Sequence, residues 1–280
     1  MPLGISGTSF ANQSYALNAF RINSLLMQQN LAQLSSGQRI VSAGIDPSGL
    51  AISQLMRSQI GGTEQAIYNA QDTINLQRTA EATLSSQTAV LGRMRDLSVR
   101  AANEATMTTA DRSRLNQEFQ SLNQELTRMG EANTFNTKQL TSAVTPYGTQ
   151  AAQVGPDTGA ENQIDVTINP STAATLGTAG EDISTVAGAQ NAISAIDTAL
   201  QTVSTQRANL GINENRFTYA VDELSMARIN LAAARSRISD LNMAAAITER
   251  VRLSILGNTS LAALTQANAQ TTGISNLLGI

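Results

Sequence analysis

The chain of 280 residues is 41% hydrophobic and 14% charged, and it is long enough to bury a substantial core. It contains no Cys, His or Trp, which excludes disulfides, thiolate or imidazole metal sites, thiol nucleophiles and histidine general bases. Aromatic residues make up 3% and the net charge is −3, so the chain lacks the basic surface and the stacking rings typical of nucleic-acid binding. We predict an interaction protein that is not an enzyme, uses no metal or cofactor and binds no nucleic acid.

The two ends of the chain carry no charged side chains. No Asp, Glu, Lys or Arg occurs before Arg21 or after Arg252, so 48 terminal residues hold none of the 39 charges. Leu and Ile alternate there with Gln, Asn, Ser and Thr, and no apolar run approaches the roughly 18 residues of a membrane span. Residues 1–10 lack the basic and apolar regions of a secretory signal. We expect both ends to be buried in protein and not in a membrane.

The interior has the apolar spacing of long packed helices. From Ile196 to Ile238, alternating steps of four and three residues visit thirteen positions, of which nine are apolar. A heptad pattern of this length predicts a coiled-coil seam. The same period predicts two further helices, with seams at Leu76, Ala80, Thr83, Gln87, Val90, Met94, Leu97 and Ala101, and at Leu115, Phe119, Leu122, Leu126 and Met129.

Four charged residues interrupt the seam of the 196–238 helix, at Arg207, Glu214, Arg228 and Arg235. We interpret them as marking where this helix faces solvent or a neighbouring subunit. The alternative is that they act as functional switches.

Both uncharged ends also follow the helical period, so they could form one helical pair. Each seam offers only four or five apolar contacts at roughly 1.5–3 kcal/mol each, against an ordering cost of about 1 kcal/mol or more for each of some thirty residues. Folding coupled to assembly is therefore expected. The two seams are Leu17, Phe20, Ser24, Met27, Leu31 and Leu34, and Leu264, Ala267, Thr271, Ile274 and Leu278.

Two breaks in the helical pattern carry capping signals. Asp46 can cap the start of a helix that has Pro47 at its first position. A second break near Met107–Thr109 is followed by Asp111 as the N-cap of the next helix.

Residues 140–185 lose the helical period and are rich in Gly, Pro, Thr and Ser. Within them, Ile164, Val166 and Ile168 alternate as in a short strand. We predict a small β-hairpin flap, with 148–180 exposed and outside the core.

Several motifs agree in order and spacing with those of one family. Leu34–Ile40 and Ser48–Ile52 resemble the N-terminal signature of bacterial flagellins, and Asn215–Phe217 and Ala234–Ile238 resemble the C-terminal one. Thr134–Asn136 also falls where a flagellin would place it. The similarity extends over nearly the whole chain, in a short form without the variable outer domains.

The resemblance implies a mainly α fold, a long antiparallel coiled-coil helical bundle with the β-hairpin flap and with discontinuous domains made from both termini. Residues 1–44 and 241–280 would form an inner terminal coiled coil. Residues 45–240 would form the outer helical bundle, with the flap at about 140–185. The assembly interface would include Leu17, Leu31, Leu34, Leu264, Ile274 and Leu278.

The resemblance also implies function and partners. The chain would be the structural subunit of a helical homopolymer, the extracellular flagellar filament used for swimming. It would be secreted by the flagellar type III export apparatus with a secretion chaperone, and it would contact filament cap and junction proteins.

A vertebrate Toll-like receptor is a further expected partner. Leu91–Leu97 resembles the segment by which such a receptor senses flagellin monomers, and Arg93, Leu97 and Glu118 fall on the matching positions. Arg93 and Leu97 are four residues apart and therefore lie on one helix face. Because Leu97 is also a seam residue, core packing or a subunit contact is the alternative role.

Two other functions stay open. A hook-filament junction protein shares the terminal design and the helical period, and its copy number, a single ring against thousands in a filament, would distinguish it. A secreted coiled-coil binding protein is the alternative of another class.

Overall fold

The computed structural model describes the backbone of residues 3–278 and the side chains of residues 13–270 and 272. It is mainly helical, with two small antiparallel strand pairs, which confirms the predicted fold class. The helices are α1 (Leu3–Ser36), α2 (Pro47–Ala101), α3 (Thr109–Ala132), α4 (Val186–Ser239) and α5 (Met243–Leu278). The strands are β1 (Thr134–Phe135), β2 (Lys138–Gln139), β3 (Gly148–Gln153) and β4 (Gln163–Ile168).

The chain divides into two compact units. The first, here called the terminal unit, combines residues up to Ser58 with residues from Asn230 onward. The second, here called the bundle unit, is Gln59–Ile229. The terminal unit is therefore built from two segments that lie far apart in the sequence, whereas the bundle unit is one continuous segment.

The core of the bundle unit lies along the predicted seams of α2, α3 and α4. All thirteen seam positions of α4 between Ile196 and Ile238 are buried or half-buried, as are the predicted positions of α2 and α3. The heptad interpretation of these helices is thus confirmed. The largest side chains of this core are fully buried, among them Phe119, Phe217, Leu84, Leu91, Met94 and Ile196.

The starts of α2 and α3 are fixed by side-chain caps. Asp46 accepts a hydrogen bond from the Gly49 backbone N–H at 2.8 Å, and α2 begins at Pro47 as predicted. The assignment of Asp111 as the N-cap of α3 is wrong, because Thr108 is the cap and Asp111 is the third helical residue of a capping box. The two side chains satisfy each other's backbone N–H groups, which is why both are needed.

The strands form two short hairpins in the bundle unit. β1 pairs with β2 through a tight turn in which Asn136 and Thr137 have φ values of 48° and 66°. β3 pairs with β4, whose side chains alternate between solvent and core as the sequence indicated. Ile164, Val166 and Ile168 are its buried residues.

The expectation that 148–180 is an exposed flap outside the core is wrong. Besides the β4 residues, Val154, Ala173 and Leu176 belong to the bundle core. The Asn123 side chain donates to the Thr178 carbonyl at 2.8 Å, and the Thr178 hydroxyl donates back to the Asn123 amide oxygen at 2.9 Å. The segment lacks a helical period because it consists of the β3–β4 hairpin followed by irregular chain, and the packing of the irregular chain leaves no periodic signal.

The terminal unit consists mainly of α1 and α5, which pack antiparallel with closely approaching backbones. A short clamp joins the chain after α1 to the chain between α4 and α5. The Arg39 N–H donates to the Ser239 carbonyl at 2.7 Å, and the Leu241 N–H donates to the Gly37 carbonyl at 3.0 Å. Gly37, which follows the end of α1, has a φ of 68°, a left-handed conformation that favours glycine.

Candidate assembly site

The terminal unit presents most of the exposed apolar surface. Of the 23 large apolar side chains that are exposed among the described residues, 16 belong to this unit, although it holds fewer than half of the residues. Exposed apolar surface on this scale is typical of a protein interface. On the two terminal helices the residues are Tyr15, Leu17, Phe20, Ile22, Leu25, Leu26 and Leu31, and Met243, Ile247, Val251, Ile255, Leu256 and Leu261.

The face by which α1 meets α5 is unexpectedly polar. Asn23 and Asn30 are 8% and 6% exposed, and each donates its side-chain N–H to a backbone carbonyl of α5. The Asn23 Nδ2 lies 2.8 Å from the Leu253 oxygen, and the Asn30 Nδ2 lies 3.2 Å from the Ala246 oxygen. The helix pair is therefore held by amides as well as by apolar contact.

This contact face differs from the seam predicted for α1. In the structure, Ala16, Asn23 and Asn30 lie toward α5. The apolar pattern instead predicts that Leu17, Ser24 and Leu31 do so. The remaining seam residues, Phe20, Met27 and Leu34, belong to both patterns. Leu17 and Leu31 consequently point away from α5 and are exposed. The predicted periodicity is correct, but its phase is wrong because apolar content alone does not identify the inward face.

The six residues assigned to an assembly interface therefore fall into three groups. Leu17 and Leu31 are exposed, and Leu34 and Leu264 are half-buried. The side chains of Ile274 and Leu278 lie outside the described residues. The interface itself stays a prediction.

Near the clamp, the Asp240 carboxylate accepts hydrogen bonds from the Ser236 hydroxyl and from the Ser239 hydroxyl at 3.1 Å. These donors hold the pKa of Asp240 below its usual value. The Arg39 guanidinium donates to the Ile238 carbonyl at 2.8 Å. Polar contacts thus secure the chain at the point where α4 gives way to α5.

Three of the four charged seam residues of α4 form ion pairs with α2 of the same chain. Within the bundle unit, Arg207 pairs with Glu81 at 2.8 Å and Glu214 pairs with Arg78 at 2.7 Å. Arg228 lies 3.6 Å from Glu64. The interpretation that these three residues mark a solvent-facing or subunit-facing side is therefore incomplete, because they also bridge two helices.

A fourth bridge joins the same helices, between Arg95 and Asp197 at 2.7 Å. The Arg95 hydrogen bond holds the pKa of Asp197 below its usual value. All four pairs are partly exposed, so solvent screens each of them and the contribution of each to stability is small. Their alternating signs along the helices favour a single antiparallel pairing.

The three predicted receptor-binding residues have different environments. The Arg93 guanidinium pairs with the Glu118 carboxylate at 2.6 Å, and both side chains are about half exposed. Leu97 is 2% exposed and belongs to the bundle core. Of the three residues, only Arg93 and Glu118 are therefore available to a partner, and Leu97 is part of the core.

Sequence reasoning missed the polar residues that organise both units. Asn23 and Asn30 have only a weak signal, since they are seven residues apart and therefore lie on one face of the helix. Arg112 had no such signal. It is buried and donates to the carbonyls of Ala101 and Asn103 at 2.8 and 3.2 Å, so it caps the end of α2.

Across the part of the chain that the structure describes, no group of three or more carboxylates suits a metal ion. The helices described there also lack the combination of length and apolarity needed to cross a bilayer.

The fold is that of a mainly helical protein whose two terminal helices pack against each other and expose apolar side chains. Residues 8–145 match the family model of the bacterial flagellin N-terminal helical region, and residues 193–278 match that of the bacterial flagellin C-terminal helical region. The two matches together cover most of the chain.

Relatives agree with these matches. The chain is 42% identical to a flagellin of Halalkalibacterium halodurans, covering 94% of this chain and 97% of that one. It is 35% identical to a flagellin of Bacillus subtilis, covering 94% and 96%. A candidate flagellar hook-associated protein of Vibrio parahaemolyticus has a similar structure, with a TM-score of 0.56 over 70% of this chain and 100% of that one. Because the two sequences are only 16% identical, this similarity shows the fold alone.

The chain belongs to the bacterial flagellin family. It is a structural subunit of the flagellar filament, an extracellular homopolymer, and it lacks a large variable domain. The family, the fold class and the filament function predicted from sequence are confirmed. Neither the junction protein nor the secreted binding protein is supported by these matches.

Proposed function

We propose that copies of this chain polymerise through the terminal unit, with α1 and α5 of neighbouring copies covering the exposed apolar side chains. The inner coiled coil would be formed by residues 1–44 and 241–280, and residues 45–240 would lie outside it. The single observation that carries this proposal is the concentration of exposed apolar residues on the terminal unit.

The physical chemistry of α1 and α5 supports this role. Full burial of a large apolar side chain contributes about 1.5–3 kcal/mol, so covering the 13 exposed apolar side chains of α1 and α5 would favour assembly strongly. The absence of charge before Arg21 and after Arg252 means that burying these segments removes no ion from water. The interface residues Leu17 and Leu31 are already outward, and Ile274 and Leu278 extend the same chemistry.

Substitution of outward residues tests the proposal. Leu25→Asp on α1 and Ile255→Asp on α5 change side chains that are 58% and 60% exposed. Each variant should keep the helical circular dichroism of the chain and form no filaments in negative-stain electron microscopy, because a buried unpaired carboxylate is costly. Val144→Asp, at a residue 78% exposed in the bundle unit, is the control and should polymerise normally. Filaments of native geometry from both terminal variants would contradict the proposal.

We further propose that the chain is secreted by the flagellar type III export apparatus with a secretion chaperone, and that it meets cap and junction proteins at the filament ends. Membership of the flagellin family supports this route. The test is whether extracellular protein disappears when the export ATPase of the host is deleted. Continued accumulation outside such cells would contradict it.

A second candidate function is recognition of the free subunit by a vertebrate Toll-like receptor through Arg93 and Glu118. Both side chains are about half exposed and pair with each other across two helices, which supports a receptor contact at this place. Arg93→Ala and Glu118→Ala should each weaken binding to the receptor ectodomain by more than about 1 kcal/mol. Arg128→Ala is the matched control, since it removes an equally exposed Arg from another Arg–Glu pair. Absence of binding by the parent subunit at micromolar concentration would contradict this function.

A further inference from the structure

The two asparagines on the inner face of α1 are a costly choice for a helix contact. Asn23 and Asn30 are both more than nine-tenths buried. The Asn30 Oδ1 is buried and finds no hydrogen-bond partner among the described residues. A buried amide with an unpaired oxygen costs free energy, so the stability of the helix pair alone does not account for Asn30.

Their geometry is matched to α5. Asn23 and Asn30 are seven residues apart, and so are the residues whose carbonyls they reach, Leu253 and Ala246. Gly257 also takes part, because a Cβ at this position would lie 3.1 Å from the Asn23 Nδ2. The missing side chain leaves room for the Asn23 amide to approach the α5 backbone.

The asparagines select between two possible inward faces of α1. One face presents Ala16, Asn23 and Asn30 to α5, and the other would present Leu17, Ser24 and Leu31 instead. The two sets of residues are one position apart, which is about 100° around the helix axis; because Phe20, Met27 and Leu34 belong to both seams, the midlines of the two seams differ by about 50°. Apolar burial by itself favours the face with two leucines. The structure adopts the face with the two asparagines.

We propose that Asn23 and Asn30 are positioning residues that fix the rotation of α1 against α5 and so reserve Leu17 and Leu31 for neighbouring copies. This inference rests on the proposed polymerisation through the terminal unit. It follows the general behaviour of buried asparagines in coiled coils, which set pairing geometry at a cost in stability. The amides hold α1 in the orientation in which its leucines stay outward and available.

The test replaces both amides and reads the orientation directly. In Asn23→Ala/Asn30→Ala the hydrogen bonds are lost, and α1 should rotate so that Leu17 and Leu31 turn toward α5. The concentration needed for polymerisation should then rise at least tenfold. Asn18→Ala, at an exposed α1 position, is the matched control and should leave this concentration unchanged.

Disulfide trapping reports the face that α1 presents, because the chain has no cysteine of its own. Ala16 precedes Asn23 by seven residues and Ser260 follows Leu253 by seven, so the two positions face each other in the helix pair. Within assembled protein, Ala16→Cys/Ser260→Cys should form an intrachain disulfide and Leu17→Cys/Ser260→Cys should not. In the double-alanine background this preference should reverse.

A single substitution on α5 gives an independent perturbation. Gly257→Ala should push the Asn23 amide away and change the trapping pattern in the same direction, with a smaller effect. This variant retains both asparagines, so it covers the case in which the double variant does not fold.

Two results would overturn the inference. One is an unchanged trapping preference in both the double-alanine and Gly257→Ala backgrounds. The other is a reversed preference with unchanged polymerisation, which would mean that the rotation does not reserve the leucines. Failure of the proposed function itself is seen separately, when Leu25→Asp and Ile255→Asp still form filaments.

Discussion

The bundle unit and the terminal unit solve the problem of burial in different ways. The bundle unit encloses Phe119, Phe217 and many aliphatic residues completely. In the terminal unit the buried apolar side chains among the described residues are Ile40, Ala246 and Leu253, and its larger apolar residues are mostly exposed. One region therefore completes its core within the chain, whereas the other leaves a surface that additional copies must cover.

Removal of either terminal helix should have the largest effect. Chains lacking residues 1–35 or 245–280 should form no filaments, because the apolar surface of the terminal unit is lost or left incomplete. Their bundle unit should stay folded, because its core lies within Gln59–Ile229. Electron microscopy and circular dichroism measure the two properties. If either truncated chain still formed native filaments, the terminal unit would not be the part of the chain that assembly requires.

A pair of phenylalanine substitutions compares the units directly. Phe217→Ala in the bundle core should lower the free energy of unfolding by about 3–5 kcal/mol, because Phe217 is completely buried. Phe20→Ala on α1 should lower it by less than Phe217→Ala does and should in addition impair polymerisation, because Phe20 lies toward α5 but is 38% exposed. Urea denaturation of the subunit provides the energies. If both substitutions lowered the free energy of unfolding equally, the contrast between a completed core and an incomplete one would be wrong.

Two glycines in the bundle unit should respond with opposite signs. A Cβ at Gly130 would lie 3.0 Å from the Thr172 Cγ2 and 3.1 Å from the Ser171 carbonyl, so Gly130→Ala should destabilise the chain by about 1–3 kcal/mol. A Cβ at Gly92 would have no such neighbour within 4 Å, and Gly92→Ala should stabilise α2 by about 0.5–1 kcal/mol. Thermal unfolding distinguishes them. If Gly130→Ala left the stability of the chain unchanged, residues 171–172 would pack only loosely on α3.

Acid should weaken the protein, but neutral pH changes should not. Hydrogen-bond donors lower the pKa values of Asp111, Glu125, Asp197, Asp240 and Glu249. A carboxyl group whose pKa is lower in the folded state stabilises that state at any pH above its ordinary pKa, and this contribution is lost as the pH falls below about 4. The chain has no histidine, so stability between pH 5.5 and 8 should be nearly constant. Thermal melts from below pH 4 up to pH 8 check both statements; a change in stability near pH 6.5 would contradict the second.

The sequence was sufficient to predict the parts of the fold that repeat. The seams of α2, α3 and α4 follow a heptad period over many turns, and the Asp46–Pro47 start of α2 carries a local capping signal. β4 was predictable because its buried residues alternate. These features depend on neighbouring residues, which a single sequence displays.

The remaining features depend on contacts between distant residues. The packing of 171–183 against α3 rests on Asn123 and Thr178, which are 55 residues apart. The inward face of α1 was predicted incorrectly because the carbonyls that bind Asn23 and Asn30 lie on α5, more than 200 residues away. In both cases apolar periodicity gave no information about the hydrogen bond that decided the arrangement.

A reconstruction of the assembled filament at side-chain resolution tests the central claim most directly. We predict that most of the exposed apolar residues of the terminal unit, including Leu25 and Ile255, become buried against α1 and α5 of neighbouring copies. Filaments joined through the bundle unit alone, with these side chains still facing solvent, would contradict it.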